Sequence, residues 1–244
     1  CNEKVLEAYL EGGSIEDESV REMIQKRELF PCFFGSALKM EGIEELLFAL
    51  SEYTKMPEYQ EKFGATVFKI TRDAQGSRLT HLKVTGGVLK ARNLLTGHKQ
   101  NKPEDIWEEK VNQIRIYSGE KYETKDEVEA GTICAVTGLS YTYPGEGLGS
   151  QEESELPILE PVLTYELILP DGVQPQAMMP KLAMLEEEEP ELHIVWNEEL
   201  QEIKIQIMGE VQIEILKALI SDRFGVEVEF GTGKILYRET IADT

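Results

Sequence analysis

Apolar and polar positions change period several times along the chain, and each change predicts an element. Ile203, Ile205 and Ile207 alternate with Lys204 and Gln206, the period of a strand with one buried face. Gly209 interrupts the alternation. From Val211 the spacing becomes helical, with Ile213, Leu216 and Ile220 on one line and Ile215, Leu219 and Phe224 beside it. Ile215 and Leu219 are expected to point inward. Gly225 falls where the residue after a helix needs left-handed dihedrals, and Val226, Val228 and Phe230 then alternate as a new strand. Upstream, Val162 to Leu169 alternates as a strand and Asp171-Gly172 turns. Pro180 suits the first turn of a helix that ends in Glu186 to Glu189, a run that reads as a solvated helix end. Leu192 to Asn197 and Glu202 to Ile207 form a hairpin. The predicted order is β-α-β-β-α-β, that of a ferredoxin-like domain.

The middle of the chain reads as strand. Val67, Phe68 and Ile70 lead to the turn Asp73-Ala74-Gln75-Gly76, and Leu79 to Val84 alternates back to Thr85-Gly86-Gly87. Val88-Leu89, Asn93 to Leu95, Val111 to Tyr117 and Thr132 to Leu139 supply further short strands. Closely spaced turns with no helical period predict a closed β-barrel. Residues 1 to 61 read as the tail of an α/β domain. A helix over Glu3 to Glu11 stops at Gly12-Gly13, and Ser14 or Asp17 can cap a second through Lys26. Phe30 to Phe34 is expected as a buried parallel strand, and Ile43 to Tyr53 as a helix with Ile43, Leu46, Leu47 and Leu50 inward. Met56 to Phe63 and the acidic Gln151 to Pro157 are expected hinges. Cys1 leads straight into a helical pattern, which reads as a piece of a longer protein.

Composition changes this picture at one point. The chain has 244 residues, 41% of them hydrophobic, enough for two or three small cores. Net charge is −21, which argues against nucleic acid at first sight. The charge is uneven, however. Residues 62 to 102 hold nine Lys or Arg and one acid, Asp73, a local +8 between two acidic flanks. Cys1, Cys32 and Cys134 are far apart, as are His81, His98 and His193, so neither a disulfide framework nor a zinc site is expected and a reducing cytoplasm fits. No run approaches the length of a membrane span.

Several stretches carry a family resemblance. Met208-Gly209-Glu210, Arg223-Phe224-Gly225-Val226-Glu227-Val228 and Tyr237-Arg238-Glu239-Thr240-Ile241 resemble the third domain of the elongation factor G family and, equally, of the ribosomal protection proteins that confer tetracycline resistance. Val67-Phe68-Lys69-Ile70, Gly76-Ser77-Arg78-Leu79, Gly86-Gly87-Val88-Leu89 and Glu129 to Val136 look like the barrel that follows the GTP-binding domain in that family. Ser36-Ala37-Leu38 after an apolar stretch resembles the last nucleotide-contacting loop of translational GTPases, where a backbone N–H meets the guanine base. No G-x-x-x-x-G-K-[ST] and no Asn-Lys-x-Asp occurs, so neither a phosphate cradle nor the main guanine motif is present. The run Pro144-Gly145-Glu146-Gly147-Leu148-Gly149 departs from the usual elongation factor pattern. With Tyr117-Ser118-Gly119, it leans toward the tetracycline-protection branch.

The resemblance therefore implies an α+β multidomain piece: 1–61 as the C-terminal portion of a GTP-binding domain, 62–150 as the translation-factor β-barrel, 158–244 as a ferredoxin-like third domain. It implies a parent that binds GTP with magnesium and acts on the ribosome. The piece itself, a cytoplasmic monomer, would have no catalytic residues and no bound cofactor. Small-subunit RNA is the implied partner, met by Lys69, Arg72, Arg78, Lys83, Lys90 and Arg92. A translocation factor and a stand-alone binding module without a GTPase parent are the alternatives.

Overall fold

The computed structural model describes residues 3–13, 15–55, 57–100, 102–154 and 161–235. The chain divides into two compact units, Cys1–Glu58 and Tyr59–Thr244.

The first unit is helical, with α1 over Glu3–Gly12, α2 over Asp17–Gln25 and α3 over Ile43–Tyr53. Gly13, at φ 71°, ends α1 as expected. An Arg21–Glu52 ion pair ties α2 to α3. Two expectations fail here. Phe30 to Phe34 is irregular, with Phe30 73% and Phe34 93% exposed. On α3 only Ala49 is buried, while Leu46, Leu47 and Leu50 face outward with Phe48. A buried parallel strand needs a sheet beside it, and the described part of this unit contains none.

The second unit opens with a β-rich part. Its strands are β1 (Gly64–Arg72), β2 (Arg78–Gly86), β3 (Val88–Lys90), β4 (Leu94–Lys99), β5 (Lys102–Lys110), β6 (Gln113–Ser118), β7 (Lys121–Lys125), β8 (Glu127–Glu129), β9 (Ile133–Thr137) and β10 (Gly147–Gly149). Six of them form an antiparallel sheet of order β10-β1-β2-β9-β6-β7, and β3-β8 and β4-β5 are separate two-stranded ribbons. The hydrogen-bonded path is thus open at β10 and β7. The sheet and both ribbons nevertheless share one core, with Ile70, Leu82 and Ile114 from the sheet, Leu89 and Val128 from one ribbon, and Leu95 and Trp107 from the other. The alternation seen in sequence is the reason, since every second residue of β2 reaches this core.

The stretches read as hinges are docked where they are described. Gly87 N–H donates to the Gln60 carbonyl at 2.8 Å, Phe63 packs on the core, and Ser154 N–H donates to Gly145 at 2.9 Å. Phe63 supplies the apolar anchor that a free linker lacks. Met56 and 155–160 lie outside the described residues.

The α+β part follows, with β11 (Leu163–Ile168), α4 (Pro175–Glu188), β12 (Val195–Asn197), β13 (Glu202–Ile207), α5 (Glu210–Phe224), β14 (Glu229–Phe230) and β15 (Lys234–Ile235). Sheet order is β12-β13-β11-β14, with β15 also on β11. This realises the predicted βαββαβ order. Gly225, at φ 65°, caps α5 as expected. Helix α4 starts at Pro175, and Pro180 is inside it. On α5 the buried residues are Leu216 and Ile220, Leu219 is half-buried, and Ile215 is 57% exposed, so the inward line is the first of the two read from sequence. The Tyr237 to Ile241 stretch lies outside the described residues.

Candidate nucleic-acid interface

The open sheet has a core face and an outer face. Lys69, His81, Ala135, Arg115 and Thr124 lie opposite one another across β1, β2, β9, β6 and β7. Their neighbours Ile70, Leu82, Val136 and Ile114 point into the core, so this row belongs to the outer face. Rings run along it. Phe68, bulged out of β1, has its centroid 6.1 Å from His81, His81 is 6.2 Å from Tyr117, and Tyr117 is 5.3 Å from Tyr122. The Arg115 guanidinium sits 4.4 Å from the Tyr122 centroid. It is held there by the Asp73 carboxylate at 3.0 Å and by Gln113 Oε1 at 2.7 Å.

Titration on this face follows from its packing. Burial and the nearby Lys69 charge both lower the His81 pKa, and its Nε2 lies 2.7 Å from Thr71 Oγ1. Burial works to raise the Asp73 carboxyl, but hydrogen bonds from Arg115, Ser77 N–H and Gln75 N–H hold it below its usual value. Lys69 and Lys83 are exposed on the same face, and none of its described strand positions carries Asp or Glu.

The six basic candidates do not form one patch. Lys69 and Lys83 share the outer face. Lys90 is on the β3-β8 ribbon, 3.1 Å from Glu127. Arg92 is exposed on a turn at φ 71°. Arg72 and Arg78 are turned to α4. Arg72 Nη2 is 2.9 Å and Arg78 Nε 3.2 Å from the same Glu187 oxygen, and Arg223 of α5 grips Glu188 with two bonds of 2.7 and 3.1 Å. Arg78 also donates to the Leu139 carbonyl at 2.9 Å and to Thr142 Oγ1 at 2.8 Å. The Glu186–Glu189 run is therefore no solvated end. Glu186 accepts Ile194 N–H at 2.9 Å, and Glu189 accepts the Gln212 amide at 3.4 Å. Basic partners also offset the unfavourable placement of acids at a helix C-terminus.

Ser36-Ala37-Leu38 forms a tight turn closed by Ser36 N–H to Glu41 at 3.0 Å and Glu41 N–H to Ser36 at 3.2 Å. Leu38 is 95% exposed. No hydrogen bond is donated by the Ala37 or Leu38 N–H among the described residues, and both residues are exposed. The structure also reveals Glu146, which sequence reading passed over. It is a buried carboxyl accepting Trp107 Nε1–H at 3.2 Å and Tyr143 N–H at 3.3 Å, and burial pushes its pKa up to about 7.

Residues 158–232 match the family model Elongation Factor G, domain III. Along the chain, elongation factor G of Ureaplasma parvum serovar 3 and that of Ureaplasma urealyticum serovar 10 are each 29% identical over 272 aligned residues, covering 99% of this chain. The chain spans 38% of the length of these relatives. Among solved structures, ttk003000868 from Thermus thermophilus superposes with a TM-score of 0.73 at 25% identity, over 94% of this chain and 36% of that one. These findings show similarity to elongation factor G along the chain, and to its domain III over residues 158–232. They do not support the leaning toward tetracycline protection.

Proposed function

We propose that the chain is the central portion of a ribosome-binding translation factor of the elongation factor G type. In this reading residues 1–61 complete a GTP-binding domain, 62–150 form the translation-factor barrel, and 158–244 are the relay domain. The observation that carries it is the collinear similarity to elongation factor G over 99% of the chain. In the parent, GTP with magnesium would supply the hydrolytic chemistry, and the open N–H groups of Ala37 and Leu38 would meet the guanine edge. The parent would act on the ribosome in the cytoplasm as a monomer. No described helix is long and apolar enough to cross a membrane.

The docking surface on this reading is the outer sheet face with Lys69 and Lys83, assisted by Arg92 and Lys90. Arg72 and Arg78 serve the joint to α4 instead. Binding to RNA phosphates releases counterions, so cosedimentation with the small ribosomal subunit should weaken as salt rises, with a log–log slope of about −3 for four contacts. Lys69→Gln with Lys83→Gln should cut that slope by about half. A double variant with unchanged affinity and slope would move the contact elsewhere. A drug-protection role is the second reading, favoured by the unusual Pro144 to Gly149 run. Growth on tetracycline conferred by the full reading frame would decide for it.

A further inference from the structure

We propose that the outer face of the six-stranded sheet is a stacking platform for unpaired RNA bases, with Tyr122, Tyr117 and His81 as the rings and Lys69 and Lys83 as the phosphate partners. The proposal rests on the reading of this part as an RNA-docking surface and states what on the RNA it takes.

Four observations converge. The rings run from β7 through β6 to β2, with β9 lying between the last two, at 5.3 and 6.2 Å, and so form a diagonal track across the sheet. Cross-strand rings also stabilise a sheet, but this track stays open, since Tyr122 is 45% exposed on an edge strand and Tyr117 is half-buried. Second, the track is held in place. Arg115 lies against Tyr122, and its guanidinium is fixed by Asp73 and Gln113. His81 is bonded to Thr71. A ring that does not reorient on binding loses little entropy when a base arrives. Third, the face is cationic in a chain of net charge −21, because none of its described strand positions carries an acid and Asp73 is neutralised by Arg115. A polyanion is attracted to this face and repelled by the remainder. Fourth, flat rings flanked by lysines suit bases that have left a helix, because every base has a π-face and a paired base hides it. Duplex RNA would meet the lysines and miss the rings.

The test uses the whole chain and a labelled oligouridylate of about ten nucleotides, within the usual site size for such surfaces. An RNA hairpin stem of similar charge is the comparison, and both are read by fluorescence anisotropy at low salt. The single strand should bind more tightly than the stem. Tyr122→Leu should weaken the single strand by about tenfold, leave the stem unchanged, and leave the salt slope as it was, because stacking releases no counterions. Tyr122→Phe, which keeps the ring, should restore wild-type binding. Thermal melts of Tyr122→Phe should coincide with wild type, and Tyr122→Leu should melt only slightly lower, having lost one cross-strand ring pair. Lys69→Gln with Lys83→Gln should lower the slope for both RNAs. If Tyr122→Leu binds as wild type while the lysine variant weakens, the platform is wrong and the charged docking surface stands. If wild type binds neither RNA, both readings fall. If Tyr122→Leu and Tyr122→Phe lose binding equally, the hydroxyl is the contact and stacking is refuted.

Discussion

Glu146 shows how much one residue can carry unseen. It is 3% exposed, between the Trp107 indole and the Tyr143 backbone. Its pKa is raised to about 7 by burial, against an ordinary value of 4.5. A group whose folded pKa is raised binds its proton more tightly in the native state. Stability is therefore highest below pH 4.5 as far as this group is concerned, and falls as pH rises toward 7 by on the order of a few kcal/mol. Wild type should lose melting temperature between pH 5 and pH 7 through this group, whereas Glu146→Gln should show a nearly flat profile in calorimetric melts at the same pH values. A profile equally steep in both would place the titration elsewhere. Gly97 belongs to the same arrangement, because a Cβ there would collide with the Glu146 carboxylate and the Trp107 ring. None of this was legible in the sequence. Glu146 stood in a glycine-rich run that drew notice only as a departure from a family pattern, and its indole partner is 39 positions away. Burial of a single polar group is a property of the packing around it, and no local period announces it.

At the scale of elements, periodicity served well where one face meets a core and poorly where two faces compete. The alternation of Ile203, Ile205 and Ile207 and the stop at Gly225 are both realised. Helix α5 offered two apolar lines, and the core took Leu216 and Ile220 while leaving Ile215 out. Leu216→Ala should cost about 2–5 kcal/mol in denaturant melts and Ile215→Ala under about 1 kcal/mol. Similar costs for the two would contradict the assigned face. The Glu186–Glu189 run misled for another reason. Charge runs read as solvated because their partners are distant, and here Arg72 and Arg78 come from over a hundred positions earlier. Of the six basic candidates for RNA, these two hold α4 against the ends of β1 and β2. Glu187 is 43% exposed, so screening limits the pair. Arg78→Ala should cost about 1–3 kcal/mol, since it also leaves Thr142 and the Leu139 carbonyl without their donor. A double-mutant cycle with Glu187→Ala should show coupling of at least ~0.5 kcal/mol. Additive costs would mean that the ion pair contributes nothing beyond its neighbours.

The whole molecule carries its charge unevenly, and its apolar surface too. The β-rich and α+β parts each close over a core. Among its described residues the first unit shows no such core: Leu46 is 37%, Leu47 59%, Phe48 67% and Leu50 52% exposed on one helix, with Phe30 and Phe34 also bare. Patches of this kind mark a surface that another surface normally covers. The chain in water should therefore brighten an apolar dye such as anilinonaphthalene sulfonate while its far-UV and near-UV dichroism stay native. Leu47→Glu with Phe48→Glu should weaken the signal without lowering the melting temperature. Dye emission unchanged by both substitutions would locate the sticky surface on another element. The bare helix and the −21 charge then pull against each other in concentrated solution. At low ionic strength like charges keep the molecules apart. Once the screening length shrinks to about 8 Å near physiological salt, that barrier thins and helix can find helix. The chain should behave as a charge-stabilised colloid, monodisperse in dilute buffer and clustering on addition of salt, the reverse of the salt response that ionic aggregates show.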